Sequence, residues 1–481
     1  MTGPEWKFYI DWDNDGDYDL AAEDVSDYVK EAEWRLGMKS PWQLLADEAE
    51  ANLVMVNADQ RFSPENTASP YYGSIVPRRG VLVQSVMNGS TVTHWTGYLQ
   101  NIEPVPGVYG QLVTRLKANG GKQFLDGTEV FLALQEGVRA GTVISQLVQQ
   151  VDSDLPLSVA TGKTLFNYVG DTWSDGVDAY EGIAGLVQAE QGRFFQARSG
   201  AFTFWDRHEM LRRASNDGTV ANWHHMTYRY GEDLVNRVGV TCVPRLISSG
   251  TADLLWSLSS DTTLEAGKSR TFRARFADDS GAEIAGKTLI QPGTANGYLA
   301  YSGGSVTVDT WTPAARSAEI ELTNGGAADA TITKLEVRGK KITTFQKQTI
   351  FAEGTASIAA YGIREKVIQA ELLDSEREAE YVAKYLLDRL NGLAGVVPAL
   401  TLMNKTEAIQ VQMVTYTIGT RLRVQDEQTG HDGEHIIIGE QHRLRTAGKY
   451  HEVTWTLEPG DANQYWVLGV SKLGTETILA Y

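Results

Sequence analysis

Alternation of apolar and polar positions dominates the opening of the chain. Trp6 to Trp12, Leu53 to Val56, Val81 to Val86, Thr93 to Tyr98 and Leu112 to Leu116 are short runs rich in β-branched and aromatic residues, separated by turn formers, and each predicts a strand. Together they predict a compact β-barrel or sandwich over residues 1–118. Between 119 and 222 the period lengthens, with Thr142 preceding Val143, Ile144, Leu147, Val148 and Val151 at helical spacing. A second helix is predicted to start near Asp175, carry Ala179, Ile183, Leu186 and Val187 on one face, and stop at Gly192. Strands around Arg193 to Phe195 and Ala201 to Trp205, turning at Arg198-Ser199-Gly200, complete a small α/β domain.

From 246 to 345 the chain turns to Gly, Ala, Thr and Ser with alternating runs such as Thr271 to Phe276 and Ala318 to Leu322, which predicts an inserted β-sandwich. Its flanks, Leu234 to Val243 and Ala359 to Leu372, read as two strands of one interrupted sheet. The clearest helix runs from Ser375 to Leu390: Ser375 and Glu378 spell a capping box, Ala379, Val382, Ala383, Leu386, Leu387 and Leu390 form the apolar stripe, and Gly392 ends it. Strands at Ala399 to Met403, Arg421 to Gln425, His435 to Ile438 and Val453 to Leu457 then predict a second barrel, assembled from 223–245 and 346–481 and superposable on the first. The expected fold class is mainly β with α+β portions: two barrel-like units, a small α/β domain and an inserted sandwich.

Composition narrows the function classes. A chain of 481 residues exceeds what one core organises. A single cysteine, Cys242, cannot form an intramolecular disulfide and suits a reducing compartment. No run approaches the roughly 18 apolar residues of a membrane span, and Met1 to Trp6 lacks the basic and apolar regions of a signal peptide, so a soluble chain with no stable membrane anchor is expected. With 61 acidic against 43 basic residues the formal charge is −18, a surface that repels phosphate and argues against sequence-specific nucleic-acid binding.

Gly281 to Thr288 matches the phosphate-loop pattern letter for letter, but Pro292 and Gly293 follow so closely that no helix can leave the loop, and a sandwich turn is the better reading. His431 and His435 have a zinc-ligand spacing; on a strand they would lie about 13 Å apart, too far to share a metal, and a solvated hairpin turn is expected instead. His224 and His225 are adjacent and would face opposite ways on a strand. No nucleophile elbow is present and Cys242 sits in an apolar strand, so no catalytic residue is assigned, no cofactor is required, and the chain is expected not to be an enzyme. The acidic run is different. Asp11, Asp13, Asp15 and Asp19, with Gly16 for the sharp turn, fall at positions 1, 3, 5, 9 and 6 of a calcium loop, and Asp17 adds a fifth carboxylate. The match ends at position 12, which is Ala22, with Glu23 one residue late. Five aspartates in nine residues repel one another, so calcium is a candidate ligand; a hairpin turn at Asn14-Asp15-Gly16 with solvated side chains is the alternative.

Several segments resemble the hub proteins at the tail tip of long-tailed bacteriophages, a family related to the baseplate hub of contractile tails. They are Glu23 to Val29, Trp34 to Gly37, Ala51 to Pro64 with Tyr71, Pro77 to Val81, Trp95 to Leu99, Gly192 to Phe195, Gly200 to Arg207, Leu234 to Val238, Leu264 to Arg270, Leu335 to Lys340, Ile418 to Leu422 and Glu434 to Gly439. The resemblance implies a virion structural protein of the tail tip, assembled in the host cytoplasm. It implies a homotrimer whose two barrels per subunit make a pseudo-sixfold ring, joining the tail tube or distal tail protein, and the tape measure protein, to fibre or spike proteins around a channel for DNA ejection. It brings no catalytic residues. A receptor- or carbohydrate-binding tail protein is the alternative, to which the Trp content would be suited if the tryptophans clustered.

Overall fold

The computed structural model of the chain describes residues 3–107, 112–173, 176–213 and 216–460, with short backbone strands at Tyr465–Trp466 and Ile478–Leu479. The opening run forms β1 (Glu5–Ile10), β2 (Val29–Gly37), β3 (Glu50–Val56), β4 (Gly80–Met87), β5 (Ser90–Pro104) and β6 (Val113–Asn119). Alternation decides their inner face: Trp6, Phe8 and Ile10 on β1 and Ala32, Trp34 and Leu36 on β2 are buried in one cluster with Val81, Val83 and Trp95.

The middle of the chain supplies α1 (Ala140–Val151), β7 (Leu157–Val159), α2 (Ala179–Glu190), β8 (Arg193–Gln196) and β9 (Phe202–Trp205). Helix α1 starts ahead of Thr142, which lies in its first turn. Asp175, the expected start of α2, lies outside the described residues; the cap is Asp178, whose side chain accepts from the Glu181 N–H. The left-handed residue ending α2 is Gln191, not Gly192. Gly192 is needed for closeness instead: a Cβ there would stand 2.4 Å from the Trp205 carbonyl oxygen.

Next come β10 (Gly218–Val220), β11 (His225–Tyr230) and β12 (Arg237–Cys242). After the insertion the chain continues as β13 (Gln348–Glu353), β14 (Glu365–Gln369), α3 (Glu376–Leu390), β15 (Gly395–Met403), β16 (Arg421–Asp426), β17 (His431–Arg445) and β18 (Tyr450–Pro459). The insertion packs two sheets around its own core. Five short strands lie on the long strand Ala330–Thr344, and Ser317–Asn324 is flanked by Ser269–Arg275 and Val306–Pro313. Strand β12 runs antiparallel to β13 and parallel to β14. Residues 359–361, expected to open the return strand, instead end the short helix Thr355–Tyr361, which stops at Gly362 with φ 72°, so the strand begins only at Glu365. Ser375 stands at the N-cap of α3 without a side-chain cap bond, so the capping box is not made. The buried stripe of α3 faces the same core as α1, α2, β12 and Ile368 of β14. Thus α3 and the strands flanking the insertion are built into the middle core, whereas Gly218–Val220 leaves it and pairs with β16.

The two barrel-like units are one sheet. Its 12 strands run β1-β4-β5-β6-β3-β2-β17-β18-β15-β11, with β16 on β17 and β10 on β16. Read as halves, the orders are β1-β4-β5-β6-β3-β2 and β10-β16-β17-β18-β15-β11. Numbering each half's strands one to six gives 1-4-5-6-3-2 in both. The one departure is that β1 is antiparallel to β4 while β10 is parallel to β16.

The insertion should be removable. Its two ends meet where the Ser248 N–H donates to the Lys341 oxygen at 2.8 Å, and its core is its own. The losses include side-chain ties from Arg316 to the Asp171 carbonyl, from Lys287 to Glu136 and from Asp253 to the Lys341 N–H. Replacing residues 249–340 by a Gly-Ser turn should leave a cooperative melt, with Tm lowered by no more than about 5 °C. Recovery of the truncated chain only as aggregate would contradict this.

Candidate functional site: the junction between the halves

The halves meet along β2 and β17, paired antiparallel from Ala32 opposite Leu444 to Gly37 opposite Gly439. The Met38 N–H continues the ladder to the Ile438 oxygen at 3.0 Å. A Cβ on Gly439 would come within 2.0 Å of the Met38 oxygen, and Gly37 sits at φ 75°, so two glycines admit the close approach where the seam ends.

Beneath this seam lies a buried polar cluster. Arg198, from the turn between β8 and β9, donates through Nε and Nη2 to the two carboxylate oxygens of Glu440 at 2.8 and 2.6 Å, and to the Val414 and Tyr416 carbonyls. Thr417 adds a hydroxyl donor to Glu440 at 3.1 Å. Burial alone would raise the Glu440 pKa, but the Arg198 charge and hydrogen bonds outweigh it and hold Glu440 at about 2. Behind Glu440, His442 lies 3.3 Å from its Oε2 and 3.0 Å from His451, while His94 pairs with the Ser85 hydroxyl at 2.8 Å. Trp34 stacks on His442, and Trp6 packs against His94 and His451. Burial, the largest cause, pushes all three imidazoles below their ordinary pKa, His94 and His451 well below.

A second clasp joins the far end of β18 to the middle core. Glu458 is fully buried and takes Arg193 of β8, Arg389 of α3 and the Trp42 N–H. Burial again opposes ionisation; Arg193 and Arg389 overcome it and hold the carboxyl at about 2. No spacing motif marks these residues in the sequence. Their one signal is a charged residue on an apolar strand, as Glu440 after Ile436-Ile437-Ile438 and Glu458 after Trp455-Thr456-Leu457.

The aspartate loop is closed by backbone bonds from the Ile10 N–H to the Glu23 oxygen and from the Val25 N–H to the Phe8 oxygen. Asp11 accepts from the N–H groups of Asn14 and Gly16, Asp15 from Asp17, and Asp17 from Asp19. The five carboxylates form two overlapping triplets, Asp11-Asp13-Asp15 and Asp15-Asp17-Asp19, each with ligand atoms within 4.8 Å, sharing Asp15. Glu23 is buried behind the loop, its carboxyl raised first by burial and then by the charges of Asp13 and Asp11.

The other flagged motifs do different things. Lys287 and Thr288 of the phosphate-loop pattern lie in the strand Ala285–Ile290, which pairs with the strand around Ile342. His431 and His435 do lie on one strand, but their rings are not kept apart by that spacing: they touch edge to face with centroids 5.2 Å apart. The reason is Gly433 between them, where a Cβ would meet both rings, so the imidazoles lean across the empty position. His435 is buried rather than solvated, and burial followed by His431 pushes its pKa down to about 4. Among the described residues no third ligand groups with this pair. His225 begins β11 and is exposed, and Cys242 is buried with its thiol pushed up by burial.

No protein-family model and no curated protein sequence matches the chain. Solved structures do. The crystal structure of a tail protein from Neisseria meningitidis MC58 matches over 95% of this chain and 97% of that one, at TM-score 0.50 and 10% identity. The 43 kDa tail protein of prophage MuSo2 from Shewanella oneidensis matches over 95% and 98%, at TM-score 0.48 and 11% identity. The chain has a tail-protein fold. The match to the Neisseria protein runs through both halves of the sheet, the middle core and the insertion, so the likeness belongs to the whole arrangement rather than to one module.

The junction sets a pH dependence of this tail-protein fold. The buried histidines have folded pKa values below the unfolded value of about 6.5, so acid binds more protons to the unfolded chain. Their stabilisation is complete above about pH 6.5 and is lost as pH falls towards the folded values. Glu440 and Glu458, depressed to about 2, add a second loss that begins near pH 4.5. Thermal melts at constant ionic strength should show a flat Tm above pH 7 and a fall beginning near pH 6.5. A Tm unchanged down to pH 4.5 would contradict the assignment of neutral buried imidazoles.

Proposed function

We propose that this protein is the non-enzymatic hub of a phage tail tip: a homotrimer whose six barrel-like halves form a ring, joining a tube or distal tail protein and the tape measure protein above to fibre or spike proteins below. The ring leaves a channel through which DNA is ejected. The observation that carries the reading is the repeated strand order, 1-4-5-6-3-2, in two halves of one sheet. Two quasi-equivalent units per chain are what a threefold particle needs in order to abut a sixfold tube. A net charge of −18 suits a channel that must not hold DNA. Among the described tryptophans, Trp6, Trp12, Trp34, Trp95, Trp205 and Trp455 are buried in the sheet cores, and Trp42, Trp173, Trp223, Trp256 and Trp311 are half-buried, the last two against the core of the insertion, so none offers the exposed ring that the sugar-binding alternative would use.

The Asp11–Asp19 loop is read as an accessory calcium site, with Asp15 shared between two carboxylate triplets and charge repulsion relieved by the ion.

Two outcomes are expected. Purified virions labelled on this chain should carry the label at the distal end of the tail in negative stain, with three copies per particle; label along the tube or on the capsid would defeat the reading. Calorimetry with calcium should give binding heat that Asp13→Ala weakens and Asp15→Ala abolishes. Equal, negligible heats for all three proteins would leave a solvated loop.

A further inference from the structure

The two halves correspond in backbone register around one shared bulge, although each also has a shift that the other lacks, at Val83/Gln84 on β4 and at Thr227/Arg229 on β11. On β4 and β5, Gly80 faces Tyr98; on β16 and β17, Arg421 faces Ile436. Just ahead, the Arg78 N–H donates to Leu99 and the Leu99 N–H to Arg79, at 2.8 and 2.7 Å. The counterpart bonds are Gly419 to Ile437 and Ile437 to Thr420, at 2.7 and 3.0 Å, and Arg78 and Gly419 share a positive φ of 71° and 96°. The same irregularity follows in both: Leu99 faces Ala118 and Asn101 faces Lys117, skipping Gln100, as Ile437 faces Leu457 and Gly439 faces Thr456, skipping Ile438. At the outer strands Glu31 faces Val54 as His225 faces Thr401. That aligns Trp34-Arg35-Leu36-Gly37 with Tyr228-Arg229-Tyr230-Gly231, whose terminal glycines have φ 75° and 71°.

One element of the repeat is unmatched. Past its bulge, the edge of β17 is covered by β2. The equivalent edge of β5, from Ile102 to Pro104, and the chain that follows it to Pro106 have no strand on them among the described residues, and neither has the outer edge of β11, which stands where β2 stands. We propose that β11 of one copy lies antiparallel on the open edge of β5 in a second copy, in the register of β2 on β17, and that this seam closes the ring. Arg35 faces Gln441 and Leu36 faces Glu440 within the chain. The alignment therefore sets Arg229 opposite Glu103 and Tyr230 opposite Ile102 between chains.

The main-chain groups fit. The Val105 N–H donates to Val113 on β6, so alternation turns Ile102, Pro104 and Pro106 outward; the Gly231 N–H donates to Ala394, so Tyr228 and Tyr230 also face outward. Tyr230 and Ile102 can exchange both bonds, and Tyr228 can donate to the Pro104 oxygen. The two prolines remove donors from the β5 edge, which blunts it against arbitrary strands while leaving its acceptors for this one. Arg229, which within the chain pairs with Asp233 at 2.9 Å, would come to lie across from Glu103, which accepts from Asn101 at 2.8 Å, adding opposite charge across the seam. Tyr230 is 63% exposed in the single chain, as expected of a residue that a second copy covers.

The inference rests on the trimer reading, and the test separates the two. Arg229→Cys and Glu103→Cys are introduced together; the only native cysteine, Cys242, is buried. Light scattering on the reduced protein and on assembled tails reports the oligomer, and mild oxidation followed by non-reducing electrophoresis reports the seam. The expected result is a trimer that oxidation converts to covalent chains of up to three, with a peptide joining positions 103 and 229. Each single variant should give at least tenfold less, as should Glu103→Cys with the misregistered Thr227→Cys. A trimer that cross-links no better than the single variants, or better through 227, overturns the seam and leaves the trimer reading standing. A chain that is monomeric alone and in tails overturns both.

Discussion

The structure depends on the pairing of β2 with β17. An edge strand in a large sheet must be covered or blunted, and here the last strand of one half is covered by the long strand of the other. That single ladder turns two barrel-like halves into one 12-stranded sheet and fixes their relative position. The buried clasps then tie the sheet to the middle core: Arg198 reaches Glu440 just behind the seam, and Glu458 gathers Arg193 and Arg389. Such pairs add little net stability against apolar packing, but removing one partner strands a buried charge at a cost of about 3–5 kcal/mol. They therefore penalise any displaced arrangement of the halves.

Much of this was legible in the chain. The alternating runs of β1 to β6 and the apolar stripe of α3 announce their elements because burial on one face leaves a periodic trace. The separation of the insertion follows from its alternating strands. Resemblance to tail-tip hubs pointed to the tail-protein fold that the Neisseria structure shares. What local pattern could not convey is which core an element joins. The stripe of α3 needs a sheet, but only the tertiary structure selects β12 and β13 in the middle core over the second barrel. Nor does spacing reveal that His431 and His435 touch, since the contact depends on the missing side chain of Gly433.

The junction cluster was illegible for a related reason. Arg198, Glu440, His442, His451 and His94 come from four separate segments, and each alone reads as an ordinary polar residue on a strand or turn. That two barrel-like units would superpose was expected from the chain, but which residues correspond was not: Trp34-Arg35-Leu36-Gly37 and Tyr228-Arg229-Tyr230-Gly231 lie in segments that pattern alone does not pair. Their equivalence lies in backbone register, in the recurring bulge and in matched positive-φ residues. Three-dimensional pairing preserves a relation that side-chain chemistry has lost.

The claim that organises the account is that one chain contributes two equivalent units to a ring. Electron cryomicroscopy of the assembled tail tip, reconstructed without imposed symmetry, tests it most directly. The account predicts a ring of six barrel-like densities traced by three chains, with the β2–β17 seam alternating with a seam between chains. A ring of six chains, or three chains whose second halves lie outside the ring, would contradict it.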